Sequence, residues 1–393
     1  MPSPRKIVFW VHLVAGLVSG IVVAIMSATG VAIAFEEEIL AWYDRDVSRV
    51  ATAPGSGAER IPLEDLRARA VAAFPDFAVT SIVMPSDPTR AYELYAGRDG
   101  PLYADPFTGE FRESRAHAAH EFIHLLEEWH RWLGHHENED RRAVGKAITG
   151  ACNVAFLVLC LTGLYLWFPR QWNWRILRPR VWFTSAKSGK ARDYNWHNVI
   201  GLWSLPVLVV LAATAVVISY GWAHRLVFTL AGEEAPKARN FGMMAVPAAA
   251  VPAPPPGAMR LPLDTVVARA AEAFPDWVEF GVNFPRETDA DADAPPVPLR
   301  LDLTVTDYMP SRAYVPVEMD PFTGEVLQAV RFQDRSAGLQ TRVWIRFLHT
   351  GAGLGLPGKI IASVASLAAL VLVYTGFALS WRRFFKNAKI VSV

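Results

Sequence analysis

Ile61-Pro-Leu-Glu-Asp-Leu-Arg-Ala-Arg-Ala-Val-Ala-Ala-Phe-Pro-Asp76 returns as Leu261-Pro-Leu-Asp-Thr-Val-Val-Ala-Arg-Ala-Ala-Glu-Ala-Phe-Pro-Asp276, and Asp105-Pro-Phe-Thr-Gly-Glu110 returns unchanged as Asp320-Pro-Phe-Thr-Gly-Glu325. Similarity over such a length marks an internal duplication. Each copy reads as a helix begun after a proline and followed by alternating strands, such as 91–96 and 299–305. The Asp-Pro-Phe-Thr-Gly-Glu segments read as turns between strands, with Gly109 and Gly324 supplying backbone freedom. Two small external α+β units are therefore predicted.

Outward from these copies lie four apolar runs, each long enough to cross a bilayer as a helix: residues 7–35, 146–168, 197–222 and 358–381. The first follows Arg5 and Lys6 as a signal peptide would, but its length exceeds a signal core, so a retained helix is expected. The runs repeat as well. His12 with Gly16-Leu17 matches His197 with Gly201-Leu202, and Thr29 matches Thr214. Gly145-Lys146 to Thr162-Gly163 matches Gly358-Lys359 to Thr375-Gly376. The predicted fold is an α-helical membrane protein: two copies of helix, external domain, helix. The external domains cover residues 36–116 and 223–340, with a Pro/Ala-rich linker at 245–258. Residues 117–134 read as an amphipathic helix on the membrane interface.

Composition agrees with the membrane reading. The chain of 393 residues is 52% hydrophobic and 20% charged, below the roughly 25% of soluble domains. With 39 basic against 38 acidic side chains it lacks the surplus that nucleic acid requires. Cys152 and Cys160 share one apolar run, which excludes a disulfide framework and a cysteine-only metal site. Lys and Arg gather at Arg5 and Lys6, across the loop 169–196 (Arg170, Arg175, Arg178, Arg180, Lys187, Lys190, Arg192), and at Arg382, Arg383, Lys386 and Lys389. Both termini and the loop are thus expected in the cytoplasm, with both long segments on the other side. Trp167, Phe168, Trp172, Trp174, Trp381 and Phe384 suit an interfacial belt.

Histidine inside a span is costly and points to function. His12 and His197 occupy repeat-related positions near the cytoplasmic face, and His130 and His349 precede the second and fourth spans. Two facing imidazoles in a helix bundle suit the axial positions of a haem. Gly16 and Gly201, one turn from their histidines, would let a flat macrocycle approach the backbone. No Cys-x-x-Cys-His occurs, so two non-covalent b-type haems are expected, with Arg131 and Arg346 placed to pair with propionates. Zinc suits such pairs less well, because it takes further protein ligands. Among His117, His120, His124, His130, His135 and His136, His124 is the alternative to His130, and His120 with His124 has metal-clip spacing.

Several stretches together resemble the PepSY-associated transmembrane family, which includes bacterial iron-regulated inner-membrane proteins and siderophore reductases. They are Trp10-Val-His12, the repeated units ending in Asp-Pro-Phe-Thr-Gly-Glu, Trp129-His130-Arg131-Trp132-Leu133, Leu161-Thr-Gly-Leu-Tyr-Leu-Trp167, Asn195-Trp-His197 and Leu348-His349-Thr-Gly351. The resemblance implies four helices in the bacterial inner membrane, two periplasmic PepSY domains and, in the reductase members, b haem carrying electrons towards ferric chelates. Asn195 stands where that pattern has Asp, and Trp129 where it has Leu.

The short cytoplasmic segments hold no Gly-x-Gly-x-x-Gly unit. Electrons would come from quinol, a soluble reductant or a separate reductase. Two functions are carried forward: a transmembrane oxidoreductase acting on ferric siderophores or other ferric chelates, and a regulatory or metal-sensing membrane protein without redox activity.

Overall fold

The computed structural model describes residues 2–50, 58–97, 100–134, 138–185, 188–236, 249–254, 257–284, 296–306, 309–310 and 313–385. Lys187, Lys386, Lys389, His135, His136 and residues 245–248 and 255–256 of the linker lie outside the described residues. In chain order the elements are α1 (Pro4–Ile33), α2 (Glu36–Asp44), α3 (Leu63–Ala73), β1 (Ser81–Pro85), β2 (Tyr92–Tyr95), β3 (Leu102–Ala104), β4 (Phe111–Glu113), α4 (His117–Trp132), α5 (Glu139–Trp167) and α6 (Trp174–Val181). There follow α7 (Gly189–Ser219), α8 (Gly221–Leu230), α9 (Leu263–Ala273), β5 (Trp277–Asn283), β6 (Leu299–Val305), β7 (Val315–Met319), β8 (Val326–Ala329), α10 (Ala337–Thr350) and α11 (Gly355–Phe384). They form two units. One is helical, Met1–Glu36, Phe122–Ala235 and Trp344–Val393; the other, Glu37–Glu121 and Pro236–Val343, holds every strand.

In the strand unit, alternation sets the sheet face. β6 reads Leu-Arg-Leu-Asp-Leu-Thr-Val and buries every second residue. Those residues meet Leu63, Leu66 and Ala70 of α3 and Val266 and Ala270 of α9 in one hydrophobic core. Both Asp-Pro-Phe-Thr-Gly-Glu turns are built alike. Asp105 accepts from the N–H groups of Phe107 (2.9 Å) and Thr108 (3.2 Å), and Asp320 from those of Phe322 (2.7 Å) and Thr323 (3.1 Å). Each is an Asx turn, closed by the side chain of its first residue.

The sequence predicts two separate α+β units, whereas the structure joins their strands into one antiparallel sheet, ordered β4-β3-β2-β1-β5-β6-β7-β8. β1 and β5 pair at the centre, with Ile82 opposite Val282, its equivalent in the repeated stretch. A four-stranded half alone would leave β1 or β5 as an unpaired edge, and edge pairing removes both. The helices interlock in the same sense. Leu63 N–H donates to the Asp264 carboxylate at 2.9 Å and Leu263 N–H to Glu64 Oε1 at 2.6 Å, so each helix caps the other's N-terminus. Ile82 and Val282 are both fully buried. Ile82→Ala is expected to destabilise this unit by about 2–5 kcal/mol. A double-mutant cycle with Val282→Ala should show coupling above about 0.5 kcal/mol; strict additivity in thermal unfolding would contradict the joined sheet.

Among the described residues the helical unit contains four helices long and apolar enough to span a membrane, α1, α5, α7 and α11. α1 packs against α5 and α11, and α7 against the same two, which sets α1 and α7 on a diagonal. Cys160, Leu208, Ala365 and Ala369 fill part of the centre. α5 and α7 begin earlier than the apolar windows indicate, because Asn138 and Ser188 cap them by accepting from Arg141 N–H (3.1 Å) and Ala191 N–H (3.3 Å). His197 therefore does not open its helix; it is the ninth residue of α7, as His12 is of α1.

Candidate functional site

Their shared depth brings the two histidines together across the diagonal. The rings of His12 and His197 have centroids 6.4 Å apart with planes at 86°. At the other end of the bundle α4 and α10 deliver His130 and His349, also 6.4 Å apart, with planes at 60°. The ring facing His349 is thus that of His130; His124 lies further back along α4. Two metal–nitrogen bonds of about 2 Å, each with roughly 1 Å more to the ring centre, add to about 6 Å. Both pairs have the spacing of two imidazoles sharing one metal ion.

Hydrogen bonding fixes the tautomers. Thr162 Oγ1 donates its proton to Val158 O at 2.7 Å and accepts from His12 Nδ1–H at 2.9 Å. Thr375 does the same between Val371 O (2.8 Å) and His197 Nδ1–H (2.9 Å). In the second pair, His130 Nδ1–H donates to Met26 O (2.9 Å) and Thr29 Oγ1 (3.1 Å), and His349 Nδ1–H to Leu211 O (3.1 Å) and Thr214 Oγ1 (3.2 Å). A carbonyl can only accept, so Nδ1 carries the proton and Nε2 keeps its lone pair. Each imidazole is thereby oriented, with its proton on Nδ1, by a group outside the histidine pair. Removal from water, then His349, pushes His130 down to about 4, and removal from water also lowers His349, which favours the neutral form of both rings.

Small residues make room. A Cβ at Gly163 would come within 3.3 Å of His12 Cε1, and one at Gly30 within 3.2 Å of His130 Cε1. At Gly16 and Gly201 an added Cβ would meet only Leu159 at 3.7 Å and Leu372 at 3.6 Å, leaving the helix face beside each histidine open. Arg131 follows His130 directly and lies 3.7 Å from Glu127. Arg346 sits one turn before His349; loss of water contact and then Arg131 hold its pKa below the ordinary value. Glu127 thus pairs with Arg131 and only partly offsets the repulsion between the two guanidinium groups. Elsewhere on α4, His117 pairs with Glu121 at 3.4 Å. Among the described residues no group of three or more His, Cys, Asp and Glu side chains converges on a point. The histidines are brought together in twos.

The model of the PepSY-associated TM region matches residues 9–383. This chain belongs to the PepSY-associated transmembrane family. No curated protein matches the sequence. The family assignment spans all four membrane helices and both histidine pairs.

Asn195, where the resemblance leads one to expect Asp in a PepSY-associated chain, is buried and tied to the loop. Its amide donates to Pro179 O (2.6 Å) and Trp182 O (3.0 Å), and its carbonyl accepts from Thr184 N–H (3.1 Å). Only an amide can both donate and accept here. The acid of this region is Asp193, fully buried and paired with Arg192 (2.9 Å) and Arg382. Sequence reasoning reads the four threonines only as repeat positions and misses their contacts with the histidines. Their signal is present as Thr29-Gly30, Thr162-Gly163 and Thr375-Gly376, with Thr214-Ala215 the variant.

Proposed function

We propose that the protein is a transmembrane di-haem b oxidoreductase of the bacterial inner membrane, taking electrons from the cytoplasmic side or the quinol pool and delivering them to periplasmic ferric chelates such as ferric siderophores. The observation that carries the reading is the pair of 6.4 Å histidine couples whose Nδ1 protons are committed to threonine and carbonyl acceptors. His12 with His197 and His130 with His349 would each hold one b haem through Nε2, with Gly16 and Gly201 leaving space at the first site and Arg131 and Arg346 balancing carboxylates at the second. Bound haem supplies a one-electron carrier. Thr162, Thr375, Thr29 and Thr214 keep the imidazoles neutral and aligned, so no proton need move at these rings. The apolar helices around them exclude water. Seventeen positions separate His12 from Thr29, about 25 Å of helix axis, which supports a reading with one site towards each end of the bundle. A ferric centre that accepts one electron becomes ferrous, and hard oxygen chelators hold ferrous iron less tightly.

The test is direct. Protein purified after haem-replete expression should show a low-spin b-type spectrum. When chemically reduced, it should return to the oxidised spectrum on addition of a ferric siderophore while ferrous iron is trapped. Colourless protein would favour the regulatory, metal-sensing reading.

The proposed orientation puts both termini and the loop 169–196 in the cytoplasm and both strand-bearing segments in the periplasm, in keeping with the internal duplication. Cysteine labelling at residues 90 and 300 should come from outside, and at 185 from inside. External labelling at 185 would reverse it.

A further inference from the structure

The basic loop leaves some of its cations unused. Arg180 donates to Trp167 O, Arg5 to Leu166 O (2.6 Å) and Phe168 O (3.0 Å), and Arg192 and Arg382 pair with Asp193. Arg175 and Arg178 are exposed, and no carboxylate lies within ion-pairing distance of them among the described residues. Three residues apart on α6, they share a helix face. Directly after them the chain enters an apolar cleft of about 360 Å³ lined by Trp182, Phe183, Val199 and Trp203. The cleft is firmly built. Trp182 N–H bonds Arg178 O at 2.8 Å, Trp203 Nε1–H bonds Val181 O at 2.9 Å, and Asn195 holds the Trp182 carbonyl from the α7 side. The two indoles lie 6.1 Å apart at 34°, yet Trp182, Phe183 and Trp203 remain 54%, 59% and 61% exposed.

We propose that α6 and this cleft bind an anionic phospholipid, its phosphate held by Arg175 and Arg178 and one acyl chain lying along the exposed faces of Trp182, Phe183 and Trp203. The charge argument selects the headgroup. Two arginines on one face, with no carboxylate to neutralise them, complement a net anion, whereas a zwitterionic lipid brings its own cation into the same place. The cleft selects the tail, since indole and phenyl faces at the end of a membrane span accept alkyl chain on one side and headgroup on the other.

The full-length protein in detergent, offered equal phosphatidylglycerol and phosphatidylcholine of identical acyl chains, is examined by native mass spectrometry. Phosphatidylglycerol should be retained about tenfold over phosphatidylcholine, the ratio produced by a difference of about 1.4 kcal/mol. Arg175→Gln with Arg178→Gln should bring the ratio close to one. Arg170→Gln with Lys190→Gln, an equal loss of charge outside the site, should leave it unchanged. Trp203→Ala should lower phosphatidylglycerol retention several-fold, and inorganic phosphate at millimolar concentration should not displace the lipid. Equal retention of both lipids by the wild type, a preference that survives loss of both arginines, or full retention in Trp203→Ala overturns the proposal. Displacement by inorganic phosphate would also overturn it, making this a bare phosphate site. Unfolding midpoints without added lipid show that each variant is folded.

Discussion

His349→Ala and His130→Ala are expected to remove the same haem, each lowering bound haem from about two per chain to about one, and His12→Ala and His197→Ala the other. The expectation follows from pairing: neither imidazole of a 6.4 Å couple can be replaced from within the bundle, because no third His, Cys, Asp or Glu side chain converges there among the described residues. The four variants should fall into two spectral classes by difference spectroscopy and pyridine haemochrome assay. His124→Ala belongs to neither class and should keep both haems. If His349→Ala still reduces a ferric chelate at the wild-type rate, the transmembrane route fails. Thr162→Ala gives a finer version. It leaves the ligand in place but removes the acceptor of His12 Nδ1–H, so haem affinity should fall by about 10–100-fold and recover in Thr162→Ser, which restores the hydroxyl.

Gly145→Ala should weaken the His130–His349 site although Gly145 touches neither ring. A Cβ there would overlap the carbonyl of Trp132, two residues beyond His130, and a Cβ at Gly358 would overlap that of Gly351, two residues beyond His349. Both glycines fix the level at which a histidine-bearing helix meets the following span, and Thr149 Oγ1 adds a bond to Arg131 O at 3.0 Å. Forcing a methyl into such a contact costs about 1–3 kcal/mol and displaces the end of α4. Haem affinity at this site should fall by roughly tenfold or more, with the His12–His197 haem retained. Loss of both haems together, or of neither, would count against this local account.

What was legible in the sequence depended on the range of the signal. Four apolar runs show in hydropathy because each helix meets lipid along its own length, but Asn138 and Ser188 start α5 and α7 outside those runs. Repeat-related histidines could be paired by position alone. The threonines that orient them were not recognised, since Thr bonding back to the carbonyl of residue i−4, as Thr162 does to Val158, is an ordinary way to satisfy a hydroxyl in an apolar helix. α10, which carries His349, falls between the predicted second domain and the fourth span, because its apolar Val343, Trp344 and Phe347 form a stripe too short and too interrupted by charge to register as a span. The joining of β1 to β5 has no local signature: it depends on partners two hundred residues apart, and alternation names the buried face of a strand without naming its neighbour.

That joining also imposes a timetable. The first four strands are synthesised before α5 and α7 have entered the membrane, and their partner strand β5 follows only after both. At roughly 5–20 residues per second, Ile82 waits on the order of ten to forty seconds for Val282 to be made. During that interval β1 presents an open row of backbone donors and acceptors, and the N-terminus of α3 lacks the Asp264 carboxylate that will cap it. Half a sheet, held at a membrane while two spans are inserted, is the vulnerable stage in the life of this chain, and a nascent protein stalled near residue 230 would be a natural client for holding chaperones and proteases.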